Sequence, residues 1–283
     1  MKRKLQEAKT VPRELESFLR SHVRDGLLPW AAQAEAAETY GLSYAAVEEA
    51  ALGMNLLPAR YQRNRQSINT QRQSDLFRAR VAIFGCGGLG GHVVEALARL
   101  GTGQLTVIDP DVFEEHNLNR QVLASFPVLG KAKVETAVER VKEINPAVTV
   151  IPVKQAFTRE NGPELLKNID VAVDALDSIS TRLELADVCK LLNIPLVHGS
   201  IGGWYGQVAV QFPGDDILEK LYPKHTSPKG IEAELGNLSF TAGFVAAIEA
   251  AEVCKLLVGE GTPLRRRMLA INLLDMDIVE IRL

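Results

Sequence analysis

Cysteine is scarce in this sequence: Cys86, Cys189 and Cys254 stand far apart in 283 residues. No pair has CxxC spacing, so neither a disulfide framework nor a zinc knuckle is expected, and a reducing cytoplasm is the simplest setting. Long apolar runs are missing too. Nothing approaches the ~18 uninterrupted apolar residues of a membrane span. The basic start, Met1-Lys2-Arg3-Lys4-Leu5-Gln6-Glu7, lacks the apolar stretch that a secretory signal carries next. A large charge of either sign is also absent. The net of -3, from 32 Lys+Arg against 35 Asp+Glu, argues against a basic coat for nucleic acid. No internal repeat or low-complexity tract is present. What remains is 46% hydrophobic and 24% charged, enough for a packed core and incompatible with wholesale disorder. The length allows one large domain or two small ones.

Charge is unevenly placed. Residues 1–80 hold 13 Lys+Arg against 9 Asp+Glu, and residues 60–80 hold six arginines against Asp75 alone. That stretch reads as a solvated basic face or as a segment that meets an anion. Before it, residues 11–57 read as short helices. Val11-Pro12-Arg13-Glu14 is a helix start, Gly26 a stop, Ala31–Tyr40 is helical, and Ser43 caps a helix over Tyr44–Leu52. The pattern resembles a helix-turn-helix, but Tyr44-Ala45-Ala46-Val47-Glu48-Glu49 is acidic, which is wrong for a phosphate-lined groove. A docking or packing element is the simpler reading. Residues 1–58 are therefore taken as a helical N-terminal extension and 59–283 as the main domain, with a polar wrap at 61–79.

From Arg80 the pattern changes to short apolar strands alternating with helices. Strands are expected over Arg80–Phe84, Gln104–Asp109, Val148–Pro152, Val171–Ala175 and Leu196–His198. Helices are expected after Gly90, over Lys131–Ile144, near Pro163–Lys167 and over Ser180–Leu192. This is an α/β, doubly wound, mostly parallel Rossmann-like sheet. Tyr205–Phe212 alternates with period two and Arg267–Leu273 and Asp277–Arg282 read as strands, so antiparallel strands extend the sheet. Residues 213–234 read as loop, and Ser239–Leu257 as a long helix.

Gly85, Gly87 and Gly90 form GxGxxG between a strand and a helix. Gly85 permits the tight turn, Gly87 lets backbone approach phosphate, and the helix N-terminus offers free N–H groups. Asp109, ending the second strand, can accept from ribose hydroxyls. This constellation binds a nucleotide without separating NAD from ATP. Downstream residues separate them. Asn117-Leu118-Asn119-Arg120-Gln121, Lys131 and Lys133 supply cations for a triphosphate, and no hydride-transfer constellation accompanies the loop. Asp177 lies beyond the fourth strand of the sheet, where a carboxylate among phosphates holds Mg²⁺. His116, His198 and His225 have no metal spacing. His198, at a strand end on the ligand edge, reads as a substrate contact or as a satisfied structural histidine.

These residues resemble the ThiF/MoeB/HesA family of ubiquitin-activating-enzyme-like adenylyltransferases. The likeness runs from about residue 60 to the end, over Arg60-Tyr61-Gln62-Arg63, Gly85–Gly90, Ile108-Asp109-Pro110-Asp111, Asn117–Gln121, Lys133 and Asp174–Asp177 with Arg182. It implies one ATP-binding adenylation domain, usually a homodimer. Its substrate would be the C-terminal Gly-Gly carboxylate of a ubiquitin-like sulfur carrier in a molybdopterin, thiamine or related sulfur pathway. By resemblance the catalytic set is Arg63, Arg120, Lys133 and Asp177, with Asp177 on Mg²⁺. The nucleotide contacts are Gly85, Gly87, Gly88, Gly90, Asp109, Asp111, Asn117, Asn119, Arg120, Gln121, Lys133, Asp177 and Ser178. Arg63 resembles an arginine finger that reaches the partner subunit's ATP, with Arg65 as a competitor.

Three departures shape the expectation. The two CxxC pairs that hold zinc in many relatives are missing, at Phe212-Pro213-Gly214-Asp215 and after Ile278, so ATP and Mg²⁺ are expected without zinc. Glu232 stands where relatives that form a thioester often place cysteine, and Cys86, Cys189 and Cys254 read as inert packing. The expectation is an acyl-adenylate without an enzyme thioester, the sulfur coming from a separate donor protein. Ser178 stands where Asn is usual after Asp177. Trp204 and Tyr205 pack under the carrier tail or fill the core. Two other readings stay open: adenylation of a tRNA-base or peptide carboxylate, and a non-catalytic nucleotide-binding scaffold.

Overall fold

The computed structural model describes residues 12–222 and 232–283; of Glu232 and Ala233 only the backbone is described. The chain divides into two compact units, Met1–Asp75 and Leu76–Leu283.

The first unit contains α1 (Arg13–Ser21), β1 (Leu27–Leu28), α2 (Trp30–Tyr40), α3 (Tyr44–Gly53) and β2 (Leu57–Pro58). Pro12 precedes α1 and acids occupy its first turn, as the macrodipole favours. Ser43 caps α3 through a bond from the Ala46 N–H at 3.2 Å. Leu15, Leu19, Leu28, Ala36, Val47 and Ala51 form a small core in which alanine lets the helices approach closely. Leu27 and Leu28 pair in parallel with Leu57 and Pro58. Arg60 is spent here. Its guanidinium donates to the buried Glu48 and lies 5.0 Å over the Trp30 ring. The Tyr61 hydroxyl donates to the other oxygen of Glu48 at 2.7 Å. Burial raises the Glu48 pKa, against the pull of Arg60 and Tyr61.

The division falls within α4 (Thr70–Phe77), inside the stretch expected to be a polar wrap. Then come β3 (Arg80–Phe84), α5 (Gly88–Leu100), β4 (Gln104–Ile108), α6 (Lys133–Ile144), β5 (Thr149–Val153), α7 (Gly162–Leu165), β6 (Val171–Asp174) and α8 (Ile179–Leu192). They are followed by β7 (Leu196–Gly202), β8 (Tyr205–Gln211), α9 (Ile217–Leu221), α10 (Glu232–Leu235), α11 (Ser239–Val258), β9 (Arg267–Asn272) and β10 (Asp277–Arg282). The last eight strands make one sheet of order β10-β9-β8-β7-β6-β3-β4-β5. Pairings from β7 through β6, β3 and β4 to β5 are parallel, and those from β7 to β10 are antiparallel.

Strand periodicity assigns the two faces. Val81 and Ile83 join the core under α5, α6 and α11, while Ala82 and Phe84 join the core under α8 and α9. Each aliphatic side chain so buried contributes about 1.5–3 kcal/mol. The chain leaves β3 for β4 and β5 on one side and returns to β6 and β7 on the other. The switch point therefore lies between the carboxyl ends of β3 and β6, where such sheets bind ligands.

Glu48, Asp174 and Glu249 are among the buried residues that are charged by type. Glu249, on α11, is fully buried, and neither carboxyl oxygen has a hydrogen-bond partner. Its carboxyl fills the space above Gly199, where a Cβ would sit 2.3 Å from its Cδ. Burial first, and Asp174 second, push its pKa well above the ordinary 4.5. The folded chain holds a proton that the unfolded chain releases, so stability falls as pH rises from the unfolded value toward the folded one. Glu249→Gln, neutral and nearly isosteric, is expected to raise the melting temperature by an amount that grows from about pH 5 to about pH 8. Thermal unfolding across that range checks it; a difference independent of pH contradicts it.

Candidate active site

The glycine loop joins β3 to α5 at the switch point. The Gly85 N–H donates to the Ile108 carbonyl at 2.8 Å, and Gly85 has φ +96, which a side chain rarely adopts. A Cβ there would lie 2.6 Å from the Ala175 carbonyl oxygen. A Cβ on Gly90 would lie 1.8 Å from the Gly85 oxygen, so this turn of α5 must be glycine to stack on the loop. Above Gly87 the nearest atom is Gln121 Nε2 at 3.6 Å, and above Gly88 it is Ala242 Cβ at 3.5 Å. No side chain caps α5. The N–H groups of its first turn have no partner within the helix, which leaves them free to meet an anion.

Asp109 is buried at the end of β4. One oxygen accepts the Cys86 N–H at 2.7 Å and the other the Asp111 N–H at 2.8 Å. It thus fixes the glycine loop, and each oxygen keeps lone-pair capacity for a ribose hydroxyl. Lys133, buried at the start of α6, donates to Asp111 at 2.9 Å and stands 4.0 Å from Asp109. Asn117 uses its side-chain oxygen to cap a short turn, accepting the Glu114 N–H at 3.0 Å. Arg120 donates to the His116 carbonyl at 3.1 Å and to Asn119 at 2.8 Å. Asn119 in turn donates to the Asn237 carbonyl at 3.1 Å. Burial lowers the Arg120 pKa, and the opposite charge of Asp177 works against that shift. Gln121 Oε1 is buried beside Gly87 without a partner.

Asp177 is exposed between β6 and α8. Ser178, next to it, spends its hydroxyl as the α8 cap, accepting from the Thr181 N–H at 3.4 Å. A helix cap favours serine and asparagine about equally, which accounts for the tolerance of Ser at this point. The donor set fits a magnesium nucleotide: an uncapped helix N-terminus, a loop that side chains would fill, an orphaned buried amide oxygen, and one accessible carboxylate near an arginine. Among the described residues no group of three or more His, Cys, Asp or Glu has the arrangement of a metal site. One carboxylate plus phosphate oxygens is how Mg²⁺ is usually held. Arg63 and Arg65, in the first unit, are both exposed.

The thiols are unsuited to nucleophilic work. Burial pushes Cys86 up, with Asp109 adding to the shift and Lys133 opposing it. Burial likewise raises Cys189, with Asp174 adding, and Cys254, with Glu260 adding. Thiolate, the reactive form, is scarce at all three near neutral pH. The Glu232 side chain and His225 lie outside the described residues. Trp204 and Tyr205 do not fill the core: each is 41% exposed, and Trp204 packs on Phe240 with ring centres 4.7 Å apart. His198 is a satisfied structural histidine, fully buried between Asp174 and Tyr222. Tyr222 gave no signal in the sequence, because residues 213–234 read as loop whereas α9 lies within them.

The family model described as ThiF family matches residues 61–283. The chain belongs to the ThiF family. Among its relatives is the SAMP-activating enzyme E1 of Haloferax volcanii, 38% identical over 211 residues, covering 74% of this chain and 78% of that protein. The sulfur carrier protein adenylyltransferase of Thermus thermophilus is 35% identical over 216 residues, 74% of this chain and 80% of that one. The adenylyltransferase and sulfurtransferase MOCS3 of Arabidopsis thaliana is 34% identical over 76% of this chain, which spans only 48% of that longer protein. Crystal structures of E. coli MccB share the fold. One superposes with a TM-score of 0.69 at 24% identity over 79% of this chain and 69% of MccB. No described helix of this ThiF-family chain is long and apolar enough to cross a membrane.

Proposed function

We propose that this chain is an ATP-dependent adenylyltransferase that activates the C-terminal glycine carboxylate of a ubiquitin-like sulfur carrier. The observation that carries the reading is the convergence of the glycine loop, Arg120, Lys133 and Asp177 on one sheet edge, in a chain related to enzymes named for that activity. A carrier carboxylate oxygen attacks the α-phosphorus of ATP, the bond to pyrophosphate breaks, and an acyl-adenylate forms. No proton need move, so the protein's part is placement and charge stabilisation. The α5 N-terminus and Arg120 receive phosphate oxygens. Lys133 turns from Asp111 toward phosphate when nucleotide enters. Asp109 and Gln121 take the ribose side. Asp177 would hold Mg²⁺, which neutralises phosphate charge.

The raised cysteines support an adenylate released to a separate sulfur donor without an enzyme thioester. A homodimer in the cytoplasm, with Arg63 reaching the partner's nucleotide, completes the proposal. Intact-mass spectrometry of a Gly-Gly-ended carrier incubated with enzyme and ATP should show carrier bearing AMP, and a carrier left unmodified contradicts the reading. Arg63→Ala and Arg120→Ala are each expected to be inactive. Mixed, they should regain part of the activity through dimers with one intact site; no recovery removes Arg63 from a role in trans.

A further inference from the structure

Beside the groups assigned to ATP, the second unit holds a dense polar cluster under the loop that carries Asp177. Asp174, fully buried at the end of β6, accepts the Leu176 N–H at 3.1 Å through one oxygen. Its other oxygen is 2.7 Å from His198 Nδ1 on β7. The opposite ring nitrogen of His198 is 3.0 Å from the hydroxyl of Tyr222, at the end of α9. The same hydroxyl accepts from Gln207 Nε2 at 2.6 Å and from Arg182 Nη1 at 3.2 Å, and lies 3.2 Å from Ser200 Oγ. Arg182 closes the circuit by donating Nη2 to the Leu176 carbonyl.

The donor inventory orders the protons. Gln207 and Arg182 can only donate at these contacts, so they occupy the lone pairs of the phenolic oxygen. The phenolic proton is left for His198 Nε2, with Ser200 Oγ as the competing acceptor. His198 then carries its own proton on Nδ1, toward Asp174. Both backbone groups of Leu176 are therefore held, its N–H by Asp174 and its carbonyl by Arg182. Each holder is tied to the Tyr222 hydroxyl, directly or through His198. Asp177 follows Leu176 directly, and on its other side Ser178 is fixed as the α8 cap.

We propose that Tyr222 is a positioning residue for magnesium-nucleotide binding: through Arg182, and through His198 and Asp174, its hydroxyl fixes the Leu176 peptide and so the direction in which Asp177 presents its carboxylate. This rests on the nucleotide site of the preceding reading, but not on the identity of the substrate. Tyr222→Phe removes the hydroxyl alone. It keeps the ring against which Arg182 lies at 5.9 Å, and leaves Arg182, Gln207 and His198 each one partner short.

The test is isothermal titration of the full chain with ATP at a series of Mg²⁺ concentrations and in EDTA. Tyr222→Phe should raise the Mg²⁺ needed for half-maximal ATP binding about tenfold, as loss of a group supporting a metal ligand does, with metal-free ATP affinity within about twofold of wild type. Val141→Ala, a core truncation on α6 away from the cluster, destabilises without moving the Mg²⁺ requirement. An unchanged requirement in Tyr222→Phe, an equal shift in Val141→Ala, or wild-type ATP binding that ignores Mg²⁺ overturns the positioning role. A wild type that activates no carrier, yet binds ATP with a Mg²⁺ dependence that Tyr222→Phe shifts, sinks the carrier chemistry and supports the positioning role.

Discussion

Asp177→Ala is expected to lower carrier-dependent ATP–pyrophosphate exchange by about 100-fold or more, the cost of removing one group that stabilises transition-state charge. The fold should not change. Asp177 is exposed, and the cap of α8 belongs to Ser178. Circular dichroism and melting temperature should therefore match wild type while exchange disappears. Arg120 would still draw phosphate through its charge, but no carboxylate would remain at position 177 to hold Mg²⁺. Exchange at the wild-type rate would remove Asp177 from the mechanism.

Gly90→Ala should fail in a different way. Helix propensity alone favours alanine in α5 by about 1 kcal/mol. Geometry opposes it, because the added Cβ would lie 1.8 Å from the Gly85 oxygen and 3.3 Å from Ala175 Cβ. Neither can yield without moving the turn that follows β3. Overpacking of this kind costs about 1–3 kcal/mol or more. For a domain of this size 3 kcal/mol corresponds to a fall of roughly 6–12 °C in melting temperature. ATP binding should be lost with it, since the same shift displaces the N–H groups of the first turn. Gly53→Ala is the control: a Cβ there meets nothing within 4 Å, and stability should hold. Gly90→Ala that binds ATP like wild type would show that the loop does not hold phosphate.

Much of the fold was legible because strands buried on both faces leave short apolar runs. That signal marks Arg80–Phe84, as observed, and Val171–Ala175, of which the strand takes Val171–Asp174. The strand after Leu196 was read too short. His198-Gly199-Ser200 breaks the apolar pattern, yet β7 continues to Gly202 because its ladder with β8 does. The helix α4 was hidden because its exposed face is polar. The glycine loop was legible for a steric reason, since each required glycine excludes a side chain from a place that backbone occupies. The Asp174–His198–Tyr222 cluster was not. Its members are 24 residues apart at each step, and only the β6–β7 pairing and the packing of α9 bring them together. Arg60 shows the same limit. It belongs to a motif that resembles the family's, yet its charge is committed to Glu48 within the first unit, a contact no local spacing announces.

The measurement that bears most directly on the central claim is radiolabelled ATP–pyrophosphate exchange by the purified chain, with a panel of small Gly-Gly-ended carriers and matched carriers lacking the terminal glycine. The account predicts exchange that requires Mg²⁺, appears with an intact carrier and vanishes with the truncated one. Exchange that is indifferent to every carrier, or absent with all of them while ATP still binds, would contradict it.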